Sequence, residues 1–455
     1  MKRLYELQLT RPVPIESLYD DIIMVLKNFR NIDEEVASFL LLNMYLHVSW
    51  CLDSIMNSTV VSEASLLSLI SKRNALFDEL GHFFQIPLEA QGKGISRSLA
   101  CRVCVILAEL WCLFRKSNYN STKVESLGYL PDSSTLGKFW KLCEQQLDIS
   151  DETEDEDANK EYIEELNRDA VMIAAAKLIA TGAVPKEDLA PEIISHYTMH
   201  GATVAEVVKF LIVNIRKKEE DVSDIFLKAL KHAHVRYLTV VYTSNDESLS
   251  ARRLKECKDL ASRLSSFFVG VAARENSRNI ILKIVKEGVD YAFMDVPRRL
   301  SFLTCAVINF ASKLFKNDIF AMLKYLQDRT RNVNTDEDPS GWRPYLTFVE
   351  SLREKSSKNE DEREVREGTT VKRGRGRPRK NPKIEGKKLF DEKSSSEEED
   401  EINASDRDDD EENQVDEDEQ VPLIQSIRAS AKLRALRVAR DENRQQTSRT
   451  PGVES

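Results

Sequence analysis

The feature that most constrains this fold is a helical spacing of apolar residues, which recurs from residue 15 to about residue 354. Ile15, Leu18, Ile22, Leu26 and Phe29 follow one another at intervals of three or four residues, which places them on one face of a helix. A second face of this kind consists of Val204, Val207, Val208, Leu211, Ile212 and Ile215. Each such stripe must be covered by a neighbouring helix, so the pattern predicts an all-α fold.

Three segments refine this prediction. The sequence DEEVASFLLLNMYLHVSWCLDSIM, residues 33–56, is apolar nearly all round, which is typical of a helix buried on several sides. The sequence VRYLTVVYT, residues 235–243, is the best strand candidate, but its helical neighbours favour a buried helix. Asp318 is predicted to cap the helix that starts with IFAMLKYLQ, because its side chain can accept a backbone N–H.

Many such helices follow one another with short breaks, and no strict sequence repeat is present. Degenerate HEAT repeats of roughly 40–47 residues have this character. We therefore expect residues 1–354 to form an α-solenoid of HEAT-type helical hairpins, with an irregular helical domain as the alternative. An interruption between Asp148 and Glu165 contains ten acidic residues. It is interpreted as a solvated loop, or alternatively as a docking site for a basic partner.

Composition excludes several classes of protein. The chain has 455 residues and a formal net charge of −10. No charged and apolar leader is evident and no run of 18 apolar residues occurs, so neither secretion nor membrane spanning is expected. Seven cysteines, an odd number, indicate a reducing compartment.

From residue 355 the sequence loses its large apolar residues, and residues 355–455 are predicted to be a disordered tail. Its basic block, KRGRGRPRK, resembles an AT-hook, whose arginines enter the narrow minor groove of A·T-rich DNA. The predicted DNA-binding residues are Lys372, Arg373, Arg375, Gly376, Arg377, Pro378, Arg379 and Lys380. With the nearby Lys383 they form a basic block over 372–383, and a nuclear import signal is the alternative interpretation.

Two more tail segments carry opposite charge. Residues 391–420 contain 17 acidic and 2 basic residues. Four serines there are each followed by an acid three residues later, which makes them phosphorylation candidates: Ser394, Ser395, Ser396 and Ser405. A solubilising spacer is the alternative. Residues 421–440 are basic and amphipathic, which suits either folding on a partner or nuclear import.

Candidate catalytic and metal sites are weak. His196 and His200 lie four residues apart, and Cys101 and Cys104 form C-x-x-C, but neither pair has further ligands nearby in sequence. Both pairs are interpreted as core residues. Phosphate-binding loops and hydrolase motifs are missing from the sequence, so a non-enzyme without cofactor or metal is expected. Basic side chains on the body that could face DNA are Arg216, Lys217, Lys218, Arg298 and Arg299.

The middle of the chain resembles a known family. The resemblance rests on the ordered segments EIISHYTMHGATVAEVVKFLI, LKECKDLASRLSSFFVG, IVKEGVDYAF, RRLSFLTCAVINFASKLFKND and GWRPYLTFVESLRE. Together they resemble the C-terminal half of the stromalin (STAG/SA) family, the HEAT-repeat subunit of cohesin. The AT-hook-like tail is most similar to plant members of that family.

The resemblance implies a bent α-solenoid that binds the kleisin subunit and DNA and acts in sister-chromatid cohesion and chromosome segregation, in mitosis and meiosis. It implies a nuclear, chromosome-associated protein, linked through kleisin to the cohesin ATPase ring. Family members are longer, so this chain is expected to be a fragment, an isoform or a partial gene product. The alternative is a HEAT-type nuclear adaptor outside cohesin whose tail alone touches DNA.

Overall fold

In the computed structural model of the protein, the described residues are 16–28, 32–84, 95–120, 122–147, 158–218, 221–244, 246–331, 333 and 338–367. Their secondary structure is helical, apart from a single isolated bridge between Arg115 and Tyr129. The described α-helices are α1 (Glu16–Leu26), α2 (Glu34–Met56), α3 (Glu63–Phe83), α4 (Arg97–Leu113), α5 (Ser133–Leu147), α6 (Ala158–Ala180), α7 (Lys186–Ser195), α8 (Gly201–Lys218), α9 (Ser223–Thr243), α10 (Glu247–Ser266), α11 (Val271–Asn276), α12 (Arg278–Phe293), α13 (Ile308–Ala311), α14 (Lys316–Thr330) and α15 (Pro339–Glu367). Two short 3₁₀ turns lie at Lys116–Asn118 and Glu125–Leu127, and a π-helical segment at Leu303–Val307 leads into α13.

Helices pack against their near neighbours in sequence. Helix α2 contacts α3 and α4, helix α4 contacts α5 and α6, and helix α6 contacts α7 and α8. The even-numbered helices α2, α4, α6 and α8 therefore stack side by side in one layer, while α5, α7 and α9 form the opposite layer. This arrangement confirms the predicted all-α solenoid, in which each helical pair buries its apolar face against the next.

The predicted apolar faces lie in the core. The stripe of α8 from Val204 to Ile215 is buried, as are Ile22 and Leu26 of α1. Ile15 and Phe29 lie outside the described residues. The segment VRYLTVVYT belongs to α9, so the helical interpretation is correct and the strand interpretation is wrong.

Helix α2 differs from its prediction in one respect. Its 23 residues are long and apolar enough to cross a bilayer by composition alone. In the fold it instead buries Leu41, Met44, Val48 and Leu52 against α1, α3 and α4. Phe39, however, stays exposed, so the helix is not covered on every side.

Two predicted boundaries change. Asp318 does not cap a helix, because α14 already begins at Lys316 and the Asp318 carboxylate accepts two hydrogen bonds from Arg278. Helix α15 continues past residue 354 to Glu367. The rest of the predicted tail, including the blocks at 372–383, 391–420 and 421–440, lies outside the described residues.

Candidate functional site

The two histidines at zinc-ligand spacing form a buried pair. His196 Nδ1 lies 2.9 Å from His200 Nε2, and the two rings stack with centroids 5.1 Å apart. Burial lowers the pKa of His196, and burial together with the His196 charge lowers the pKa of His200 to about 3. Both rings are therefore neutral near pH 7 and share one hydrogen bond. Trp140 packs edge-on against His196, which confirms that the pair belongs to the core.

The C-x-x-C pair is also part of the core. Cys101 and Cys104 are buried in α4, and burial raises the pKa of Cys101 to about 12. A thiol with so high a pKa is neither nucleophile nor metal ligand near pH 7. Among the residues that the structure describes, no group of three or more His, Cys, Asp or Glu side chains could hold a metal ion.

A groove lies on the outer face of the even-numbered layer, between α2 and α4. Its volume is about 310 Å³, and its walls include Phe39 and Leu42 of α2 and Leu99 and Arg102 of α4. Its far end is fixed by Glu34, whose Oε1 accepts a hydrogen bond of 2.9 Å from the backbone N–H of Ser96. Because that contact joins the starts of both helices, the spacing of the groove walls is set by the fold itself.

The groove continues onto α6. Asn167 Nδ2 donates to Ser98 Oγ at 3.4 Å, and the Cys101 thiol lies 3.5 Å from the Asn167 carbonyl oxygen. These contacts place the first turns of α6 beside the α4 wall. The apolar side chains exposed on those turns are Tyr162, Ile163 and Leu166. We call the combined surface on α2, α4 and α6 the apolar groove.

The rim of the apolar groove is acidic. Glu35 lies at its α2 end, and Glu165 is exposed beside Leu166 on α6. The acidic sequence from Asp148 leads directly into α6. Exposed aromatic and aliphatic side chains with a charged rim are typical of a surface that binds another polypeptide. The groove thus suits an apolar segment whose flanks are basic.

The basic residues at the end of α8 are largely engaged within the fold. The Arg216 guanidinium lies 5.4 Å from the centroid of the Phe267 ring and 5.6 Å from that of Phe268. Lys218 Nζ donates to the carbonyl oxygen of Ala180, the last residue of α6, at 3.0 Å, where a cation offsets the helix dipole. Lys217 is exposed. These contacts explain the charges structurally, and DNA contact by them stays a prediction.

Arg298 and Arg299 rest on aromatic rings in the same way. The Arg298 guanidinium lies 4.8 Å from the Tyr242 ring centroid, and Arg299 lies at the same distance from Tyr291. The structure separates these arginines from the α8 cluster: one set lies on α9 and α12, the other beside α10. The two sets do not form one predicted basic surface.

The predicted DNA-binding residues 372–380 and the four candidate serines between 394 and 405 lie outside the described residues, and they stay predictions. The apolar groove was missed by sequence reasoning. Its one available signal was the excess of apolar residues on α2, which was assigned to the core. The acidic run before α6 was a second signal, retained as the alternative docking interpretation.

Comparison with known proteins defines the class. The sequence profile of the STAG protein C-terminal domain matches residues 219–358, which include helices α9 to α14 and most of α15. Stacked helical pairs and this match make the chain a helical-repeat protein, and it belongs to the stromalin (STAG) family. It is 52% identical over 443 residues to Sister-chromatid cohesion protein 3 of Arabidopsis thaliana. The match covers 97% of this chain and 39% of that relative.

Proposed function

We propose that this chain is a non-catalytic cohesin subunit that binds kleisin and DNA and supports sister-chromatid cohesion and chromosome segregation. The observation that carries the proposal is the identity of 52% with a sister-chromatid cohesion protein across 97% of the chain. The chain spans about two fifths of that relative's length, so the activity of the whole relative is here a proposal. We place the protein on chromosomes in the nucleus, in mitosis and meiosis.

Kleisin binding is assigned to the apolar groove. Phe39, Leu166 and Ile163 offer apolar side chains over three neighbouring helices, and helices packed side by side lie about 8–10 Å apart. A polypeptide crossing them buries a continuous apolar strip, while the acidic rim selects basic flanks and speeds encounter. Binding of this kind needs no turnover, and the ATPase ring is reached through kleisin.

The test uses the full chain and the kleisin subunit of the same species. Phe39 is 48% exposed, so a bound segment covers roughly 100 Å² of a side chain that offers about 200 Å². At about 25 cal/mol per Å², Phe39→Glu removes about 2.5 kcal/mol of binding free energy. The dissociation constant should rise at least roughly fifty-fold.

Phe320→Glu is the matched control, because Phe320 is also 48% exposed but lies on α14. It should leave kleisin binding unchanged. Equal affinity of wild type and Phe39→Glu would refute the groove assignment, whereas no kleisin binding by the wild type would refute the cohesin role. The latter result would favour the nuclear adaptor outside cohesin.

DNA binding is assigned to the basic block at 372–383. Arg375 and Arg377 are proposed to enter the A·T minor groove, with the flanking cations on phosphates. Replacing both arginines by alanine should weaken binding to an A·T-rich duplex and flatten its salt dependence. Unchanged affinity would leave the block with nuclear import alone.

A further inference from the structure

Three cationic side chains meet where α11, the turn after α13 and α15 come together. Lys355 of α15 points its Nζ at the carbonyl oxygen of Ala311, 3.5 Å away, at the end of α13. Lys313 follows in the turn after that helix. The Arg274 guanidinium of α11 lies 5.5 Å from the ring centroid of Phe315, in the same turn. We call Arg274, Lys313 and Lys355 the cation cluster.

The cluster lacks a compensating carboxylate. Its nearest acid, Asp318, is already engaged: it accepts hydrogen bonds of 2.8 and 2.7 Å from Arg278. Burial and the charges of Arg274 and Lys313 lower the pKa of Lys355 to about 8, and no carboxylate opposes that shift. The carbonyl end of α13 offsets the repulsion only in part, since a helix terminus carries about half a charge.

The three side chains are recessed rather than displayed. Each is only partly exposed, unlike Lys217 and Lys218 on α8, which are exposed. Like charges held together below the surface oppose folding. Such an arrangement is favourable only when an anion joins it, so the cluster has the composition of a binding site for a compact group with more than one negative charge.

We propose that the cation cluster is a binding site for a phosphorylated serine or threonine side chain of a partner polypeptide. A phosphoserine carries about −1.5 to −2 charges and three acceptor oxygens on a short side chain. It can therefore enter the recess and accept a charge-assisted hydrogen bond from each cation. The Phe315 ring holds the Arg274 guanidinium in place and so reduces the entropy lost on binding.

The recess favours this ligand over nucleic acid. A duplex presents its phosphates along a convex backbone, with a single charge on each, and is bound by exposed cations spread over a surface. The cation cluster instead concentrates three charges at one partly buried point. This arrangement matches the way arginine and lysine clusters recognise phosphorylated motifs.

The experiment measures binding of labelled peptides to the full chain by fluorescence anisotropy. The probe has the sequence DEKSSSEEEDEI with all three serines phosphorylated, and its unphosphorylated twin carries the same carboxylates. We expect the phosphorylated probe to bind at least tenfold more tightly than the twin. Lys313→Gln with Lys355→Met should abolish this preference, while Lys209→Met on the exposed face of α8 should not.

Several outcomes would overturn the proposal. Equal binding of the two peptides would show general attraction of acidic chains. A preference that survives Lys313→Gln with Lys355→Met in folded protein would place the site elsewhere. Equal weakening of an A·T-rich duplex by those substitutions would identify a nucleic-acid surface. Full competition by inorganic phosphate at the probe's own concentration would assign the site to the free ion. If the double variant fails to fold, Lys313→Gln alone carries the test, because Lys313 lies in a turn.

Discussion

Two helical glycines offer a test of packing with opposite signs. A Cβ added at Gly288 of α12 would lie 2.8 Å from Val307 Cγ2 and 3.5 Å from a ring carbon of Phe302. Both neighbours are fully buried in the core. A Cβ added at Gly137 of α5 would meet no atom within 4 Å. The same change, glycine to alanine, therefore meets a wall in one helix and open space in the other.

The expected magnitudes follow from this geometry. Alanine favours a helix interior over glycine by about 1 kcal/mol, so Gly137→Ala should stabilise the protein by roughly that amount. At Gly288 the same gain is opposed by an overpacking cost of about 1–3 kcal/mol. Because Val307 belongs to the π-helical segment packed on α12 and cannot move outward, we expect a net loss of about 1–2 kcal/mol.

Urea denaturation followed by far-ultraviolet circular dichroism measures both changes. The midpoint should rise for Gly137→Ala and fall for Gly288→Ala. Combining Gly288→Ala with Val307→Ala removes the clashing methyl group, so the double variant should lose less than the sum of the two single losses. A higher midpoint for Gly288→Ala would refute the close approach of α12 to the π-helical segment.

Three further outcomes are expected. Burial lowers the pKa of His47 to about 4 and of His200 and His234 to about 3; the unfolded chain therefore binds more protons below pH 6.5, and stability should fall on acidification by about 1.4 kcal/mol per pH unit for each histidine. A calorimetric midpoint unchanged between pH 7.5 and pH 5 would contradict this. The pKa of Lys355, about 8, lies below its unfolded value of 10.5, so this group favours folding increasingly from pH 8 to pH 10, a trend that Lys355→Met should remove from the thermal midpoint. Phe139→Ala should cost about 3–5 kcal/mol of unfolding free energy, because the ring is fully buried; a loss under 1 kcal/mol in urea titration would show a loose core.

The fold was predictable because its signal is local and repeated. The stripe from Val204 to Ile215 reports burial on one side of α8, and it needs no knowledge of what covers it. The segment at 235–243 shows the limit of that signal, since β-branched and aromatic residues suit a strand as well as a helix. Its helical neighbours supplied the correct choice, and its contacts with α7, α10 and α12 supply the stability.

The sites were less predictable because they depend on contacts between distant residues. Asp318 was assigned to a local cap, but Arg278, forty residues earlier in the sequence, takes both carboxylate oxygens. Phe39 looked like a core residue, and only the placement of α4 leaves it exposed beside a groove. The cation cluster joins Arg274 to Lys355 through a turn, and no sequence spacing indicates that meeting.

Hydrogen exchange of the full chain, with and without saturating kleisin, tests the central claim most directly. We expect slower amide exchange in the presence of kleisin on the three walls of the apolar groove, residues 34–42, 97–102 and 162–167, with α14 unchanged. Phe39→Glu should remove that difference at the same kleisin concentration. Kleisin-dependent protection confined to other helices, or no protection of any helix, would contradict the assignment of the groove as the kleisin-binding surface.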